Sequence, residues 1–296
     1  MNITLRAYRD ENDTARMVAL ARRQPLEYPH AIALPYRLSA IQRPETATIA
    51  LWQGDDGELL AFTHVHEHWR ALDYAIHPRI DEHLLAEPLM LWIAELLDRR
   101  AARGQPQEPL FIDVADHNTT LLAMLARNGF VPAANRASIY LRHLNDVIPT
   151  PGLPAGWEAR PLREADLAAA VLLASITLGS AAIPMSWRRR MMRSSAYLPA
   201  LDILVTAADG SPAAFSIGWL DARSGIGQIE PLGIHPQHRG IGLSRSLVLD
   251  MLWRLQAHGA TTALVTPFED DHSAIRLYTA FGFELQTRFV TLMRMG

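Results

Sequence analysis

The chain has 296 residues, with 28 basic against 31 acidic side chains (net charge -3) and 49% hydrophobic residues. At roughly 100 to 200 residues per domain that length predicts two domains, and the near-neutral charge lacks the basic excess of proteins that track nucleic-acid phosphates. Cysteine and lysine are both absent; this excludes disulfides, thiolate metal sites, a cysteine nucleophile, Schiff-base chemistry and a P-loop lysine, and points to the reducing cytoplasm.

In chain order, the N-terminus MNITLRAYRDENDTARM is charged within its first six residues and lacks the apolar core of a secretory segment. His64, His66 and His68 alternate along a predicted strand, which places three imidazoles on one face, in reach of a metal. With no carboxylate assignable to orient them, the reading is a polar strand face with Val65 inward and no bound metal. The proline- and glycine-rich stretch Val147 to Gly156 reads as an interdomain linker. It leaves units 1–148 and 157–296, with 149–156 between them.

In the second unit Trp157 to Leu162 reads as a strand, and Asp166 as the cap of an Ala-rich helix. No charge occurs between Asp166 and Arg188. Ser175, Thr177, Gly179, Ser180, Pro184 and Ser186 interrupt that stretch, so the expectation is a buried helix running into a loop, with no membrane span. Arg188, Arg189, Arg190 and Arg193 suit either an anion site or a solvated helix face, and the latter is expected. Asp202 to Ala207 and Pro212 to Leu220 read as strands around the turn Asp209-Gly210-Ser211, and Ile226 to Ile234 as another. Leu243, Leu247, Val248, Met251, Leu252 and Leu255 have helical spacing, ended by Gly259. Ala263 to Thr266 reads as a strand, Asp271 starts a helix bearing Ala274, Leu277, Tyr278 and Phe281 on one face, and Phe289 to Arg294 closes as a strand. The order predicts a mixed α/β sheet.

The halves repeat. Ala61-Phe62 answers Ala214-Phe215, Ile76-His77-Pro78 answers Ile234-His235-Pro236, and Gly129-Phe130 answers Gly282-Phe283. These offsets differ by only a few residues, the mark of an internal duplication.

Between Ile229 and Leu249 a strand runs through Gln237-His238-Arg239-Gly240-Ile241-Gly242 straight into a helix. Two glycines and a row of free N–H groups at a helix N-terminus favour a phosphate or pyrophosphate. Pro231 has no N–H to give a neighbouring strand, so the strand should be bulged or splayed there.

Gln237, Gly240 and Gly242 match the Gln/Arg-x-x-Gly-x-Gly/Ala signature of the GCN5-related N-acetyltransferase family. Ala274, Leu277, Tyr278, Gly282 and Phe283 match its second signature, Asn-x-x-Ala-x-x-Leu-Tyr-x-x-x-Gly-Phe, with Asp271 where Asn is usual. The second half therefore resembles that family over most of Gly156 to Gly296. The resemblance implies two tandem acetyltransferase-like domains, each a mixed, largely antiparallel sheet with a splayed central strand flanked by helices. It implies acetyl-CoA as co-substrate, with Leu232, Gly233 and Ile234 along pantetheine. Arg239, Gly240, Ile241, Gly242, Leu243 and Ser244 would surround the pyrophosphate, and Gln237, His238, Asp271 and Phe281 complete the cofactor set. A carboxylate at position 271 cannot donate the bond an Asn amide can, which puts one contact in doubt.

The first half has no glycine at either loop position, three acidic residues on the approach (Asp81, Glu82, Glu87), Pro88 near the helix start and Leu125 in place of the tyrosine. It reads as a degenerate copy. With no thiol nucleophile, an acceptor amine, small-molecule or peptide, should attack the thioester directly in a ternary complex, with Glu230 as base and Tyr278 as acid. The alternative is a non-catalytic acyl-CoA sensor. Further expectations are an acceptor pocket between the halves, CoA binding by the isolated segment Gly156 to Gly296, and a monomer whose halves mimic a dimer.

Overall fold

The computed structural model describes residues 2–39, 41, 48–102, 104, 108–134 and 136–295. The first half runs β1 (Ile3–Ala7), α1 (Glu11–Ala21), α2 (Leu34–Leu38), β2 (Ile49–Gly54), β3 (Leu59–His66), β4 (Ala71–Ile76), α3 (His83–Ala102), β5 (Pro109–Ala115), α4 (Thr119–Arg127), β6 (Val131–Pro132) and β7 (Ser138–His143). The second runs β8 (Glu158–Pro161), α5 (Leu167–Leu178), α6 (Met185–Arg193), β9 (Asp202–Thr206), β10 (Pro212–Asp221), β11 (Ile226–Ile234), α7 (Leu243–Ala257), β12 (Thr262–Val265), α8 (His272–Ala280) and β13 (Glu284–Met295).

Local chemistry accounts for these elements. In α1 the Asp10 side chain caps the helix by accepting from the Asn12 N–H, and Met17, Leu20 and Ala21 form the buried face. In α7 the six apolar residues at helical spacing are all buried; each such side chain contributes roughly 1.5 to 3 kcal/mol of transfer free energy.

Among the described residues the strands form one sheet, in the order β1-β2-β3-β4-β5-β13-β7-β12-β11-β10-β9-β8. The two halves are interleaved at its centre. β7, the last strand of the first half, pairs with β12 from Thr262↔His143 to Val265↔Tyr140 and with the start of β13. β13 shifts register between Leu285 and Thr287 and continues into the first half, pairing with β5 from Phe289↔Ala115 to Met295↔Pro109. Each half is completed by a strand of the other, so a boundary at 149–156 divides the chain but not the sheet. The predicted strand Phe289 to Arg294 closes the first half rather than the second. Ala115, Ala137, Ile139, Leu264 and Phe289 pack together along this seam.

Three local expectations are corrected. Asp166 does not cap α5 through its side chain; its carboxylate binds Arg160 at 2.6 and 3.1 Å and accepts from the Arg163 N–H. The segment Glu164–Ala181, which includes most of the uncharged run after Asp166, is long and apolar enough to cross a membrane by length and composition alone. It is not fully buried: Leu167, Ala170 and Leu173 pack against Leu204 and Phe215, while Leu172 (60%) and Ile176 (45%) are exposed. Arg188 is internal, not solvated, and grips Asp202 through two 2.6 Å contacts.

Candidate active site

β11 pairs with β12 only at Ile226↔Thr262, Gly227↔Ala263 and Gln228↔Leu264. Beyond that the strands part. On its other edge β11 carries an extra residue: Ser216 faces Leu232 and Gly218 faces Ile229, so Glu230 and Pro231 stand opposite the single residue Ile217. This is the bulge expected at Pro231, whose peptide bond to Glu230 is cis. Leu232, Gly233 and Ile234 follow along the splayed edge. Gly233 also has a packing role, since a Cβ there would lie 2.5 Å from the Phe215 ring and 2.6 Å from the Thr177 hydroxyl.

The turn after β11 leads into α7. His235 Nδ1 accepts from the Gln237 N–H at 3.3 Å, the His238 ring stands edge-on to Trp157 at 5.1 Å, and Arg239 Nε reaches the Ile234 carbonyl at 3.4 Å. Gly240 (φ 80°) and Gly242 (φ 89°) adopt left-handed conformations, which glycine takes without the usual steric cost. A Cβ at either would meet open space. Gly242 caps α7 without a side-chain bond, and the Ser246 N–H turns back to the Gly242 carbonyl. The amides of Leu243, Ser244 and Arg245 precede that bond, next to the exposed loop Arg239 to Gly242. Uncapped amides at the positive end of a 15-residue helix form an anion cradle.

Across the splay, α8 is capped by Asp271, whose Oδ1 accepts from the Ala274 N–H (2.9 Å) and the Ser273 hydroxyl (2.7 Å). Burial would raise this carboxyl, but these bonds outweigh it and hold it below the usual range. In the first half Asn118 caps α4 the same way, accepting from the Leu121 N–H at 3.0 Å. The polar residue at this position is a helix cap, a task at which aspartate equals asparagine. Tyr278, one turn on from Ala274, is 8% exposed and packs edge-on against Phe283 at 5.5 Å. Burial, with Asp271 and Glu230 adding, pushes its phenol above the ordinary value, so it keeps its proton at neutral pH. Phe281 is buried beneath the Arg245 guanidinium, 4.9 Å from its ring.

Glu230 meets a residue of the first half that sequence reasoning missed. His30 Nδ1 lies 2.9 and 3.0 Å from the two carboxylate oxygens. Gln228 Nε2 contacts Glu230 Oε2 at 2.9 Å and also binds the Pro29 carbonyl, while its Oε1 accepts from the Ala33 N–H. Thr266 Oγ1 adds a bond to the Pro29 carbonyl, and Trp219 Nε1 fixes the Glu230 carbonyl at 2.8 Å. The segment before α2 is thus tied to β11 and β12 beside the splay. Contacts between positions 30 and 230 leave no periodic trace in a sequence.

The histidine triplet takes a different form from the one expected. His68 lies beyond β3 and binds the Ala182 carbonyl; His64 and His66 are buried rather than on a polar face. Register sets Asp73 opposite His64, and His64, His66 and Asp73 offer ligand atoms within 4.8 Å of one another. One Asp73 oxygen already receives Arg37 Nε at 2.6 Å and His66 Nε2 at 2.7 Å. Burial alone would raise Asp73, yet Arg37 and His66 hold it well below the carboxylate range. Burial lowers His66 to about 4, so it is a neutral donor in this pair.

The fold and site define a tandem acetyltransferase-like pair whose second half carries the anion cradle. The model of the acetyltransferase (GNAT) family matches residues 176–283, and that segment is a GNAT domain. Among curated proteins, the mycothiol acetyltransferase of Frankia alni is 39% identical over 66 residues, 22% of this chain and 20% of that protein. That of Streptomyces avermitilis is 33% identical over 75 residues, 25% and 24% of the two chains. The match thus spans only about a fifth to a quarter of these relatives. The whole chain is similar in fold to a GCN5-related N-acetyltransferase from Sphaerobacter thermophilus (TM-score 0.70, 21% identity, 99% of this chain and 95% of that one). It is also similar to a tandem GNAT protein from the clavulanic acid biosynthesis pathway (TM-score 0.67, 15% identity, 99% and 98%).

Proposed function

We propose that the chain is an acetyl-CoA-dependent N-acyltransferase whose second half binds the acyl-CoA and whose first half is a degenerate copy. The observation that carries this reading is the uncapped N-terminus of α7 beside the β11/β12 splay, bordered by Glu230 and Tyr278. The α7 amides from Leu243 to Arg245 hold the pyrophosphate, and Leu232 to Ile234 offer free strand backbone to pantetheine. The likeness to proteins named mycothiol acetyltransferases supports acetyl as the group moved.

An acceptor amine arrives as an ammonium. Glu230 takes one proton, directly or through water, and the freed nitrogen attacks the thioester carbonyl. The N–C bond forms as the C–S bond breaks, the departing sulfur takes the Tyr278 proton, and the phenol is restored by the second proton lost from nitrogen. The products are an amide, the CoA thiol and one proton.

Calorimetry tests the cofactor part: Gly240→Asp/Gly242→Asp sets two carboxylates in the cradle and should abolish acetyl-CoA binding, whereas one CoA should bind per wild-type chain. Retained affinity, or two CoA per chain, refutes it. CoA release across amines, aminoglycosides, amino acids and peptide N-termini identifies the acceptor.

A further inference from the structure

The first half has kept a splay without a phosphate loop. β4 and β5 pair in parallel only at Ala71↔Phe111, and a small cleft opens between them. Tyr28, His30 and Arg37 line it from one side, and Asp73, Tyr74 and Asp113 from the strands. This is the place that acyl-CoA would take in the second half.

The charges there do not balance. Arg37 neutralises Asp73. Asp113 is partly buried and has no ion-pair partner among the described residues. One of its oxygens accepts from the Thr291 hydroxyl at 2.6 Å, and its other oxygen has no partner among the described residues. A partly desolvated carboxylate without an ion-pair partner carries a cost, and here burial raises its pKa, with only partial relief from the Thr291 hydrogen bond and from His30 and Arg37 nearby. Tyr28 and Tyr74 stand edge-on at 5.2 Å in the same wall, and aromatic faces favour cations. His30 is shared: it lines this cleft and touches Glu230.

We propose that the vestigial slot of the first half is the acceptor pocket, and that it takes amines carrying a second cationic nitrogen, which Asp113 holds while the reacting nitrogen lies at Glu230. The duplicated fold would then use one slot for the acyl donor and its former twin for the acceptor. The proposal rests on the acyltransferase reading above.

The test uses the full chain and two probes of equal length, 1,5-diaminopentane and 1-aminopentane, with acetyl-CoA and CoA release as readout. The diamine should show at least about 10-fold higher kcat/KM. Asp113→Asn should lower the diamine value by about 10- to 100-fold, the range of a lost charge-assisted bond, bring the ratio of the two probes near one, and leave acetyl-CoA affinity by calorimetry unchanged. Asp113→Glu, which keeps the charge, should keep the preference and controls for misfolding. An unchanged ratio in Asp113→Asn, or a preference for the monoamine, overturns the proposal. Calorimetry with 1,5-diaminopentane alone separates this proposal from the reading beneath it. Binding that Asp113→Asn loses, without turnover, upholds the pocket and sinks the chemistry. Absence of binding together with acetyl transfer to other amines sinks the pocket alone.

Discussion

Glu230 is held from both halves, by His30 and Gln228 on its carboxylate and Trp219 on its carbonyl, so its position depends on residues some 200 positions apart. Under the proposed mechanism, Glu230→Gln should lower kcat by roughly 10²-fold or more. Tyr278→Phe should lower kcat with little change in acetyl-CoA affinity, because the phenol acts only as the sulfur leaves. Steady-state kinetics on the true acceptor checks both, and wild-type turnover in both variants rejects the assignment. A separate prediction concerns stability. His66 is lowered by burial to about 4, and His64 well below its ordinary value of 6.5, by burial and then by its neighbour His66. Between pH 6.5 and 4 the unfolded chain therefore binds more protons than the folded one, and stability is lost as pH falls through that window. Unfolding midpoints measured from pH 7 to 4 should show this fall. His64→Gln/His66→Gln should flatten it, and an unchanged slope counts against the assignment. Glu230, Tyr278 and the glycines were legible because each belongs to a local pattern. His30, Asp73 and Asp113 were not, since strand register and interdomain packing, not spacing, bring them together.

The element with the clearest signature was β11 with its following turn and α7. A proline without an N–H required the bulge, and glycines before an apolar helical stripe required the cradle. The Asp271 position was legible as a helix start but not in its chemistry: the asparagine-to-aspartate difference reads as a lost donor, whereas the side chain is a cap that needs only an acceptor. Asp271→Asn should therefore change stability little, and Asp271→Ala should cost about 1 kcal/mol. Chemical denaturation of the full chain distinguishes these, and equal losses in both would argue against the cap. Asp166 fails as a cap for a local reason as well, because Arg160 two strand positions before Leu162 competes for the same carboxylate.

At the scale of the molecule, the duplication was legible from offset motifs, but the exchange of β7 and β13 was not, because Phe289 to Arg294 reads as an ordinary last strand of the second half and pairing between halves leaves no local pattern. The segment 157–296 lacks β7, which separates β12 from β13, so the earlier expectation of an independent CoA-binding fragment gives way. That fragment should lack a cooperative unfolding transition and bind no CoA by calorimetry, whereas coexpression with 1–148 should restore a complex that binds it. A cooperative, CoA-binding fragment would show the exchange to be dispensable. The same exchange orders events on the ribosome. Ala115 waits for Phe289, made 174 positions later, so the first half emerges from the exit tunnel with an open sheet edge throughout translation of the second. A stop codon before β13 would then strike hardest at the part of the chain made first.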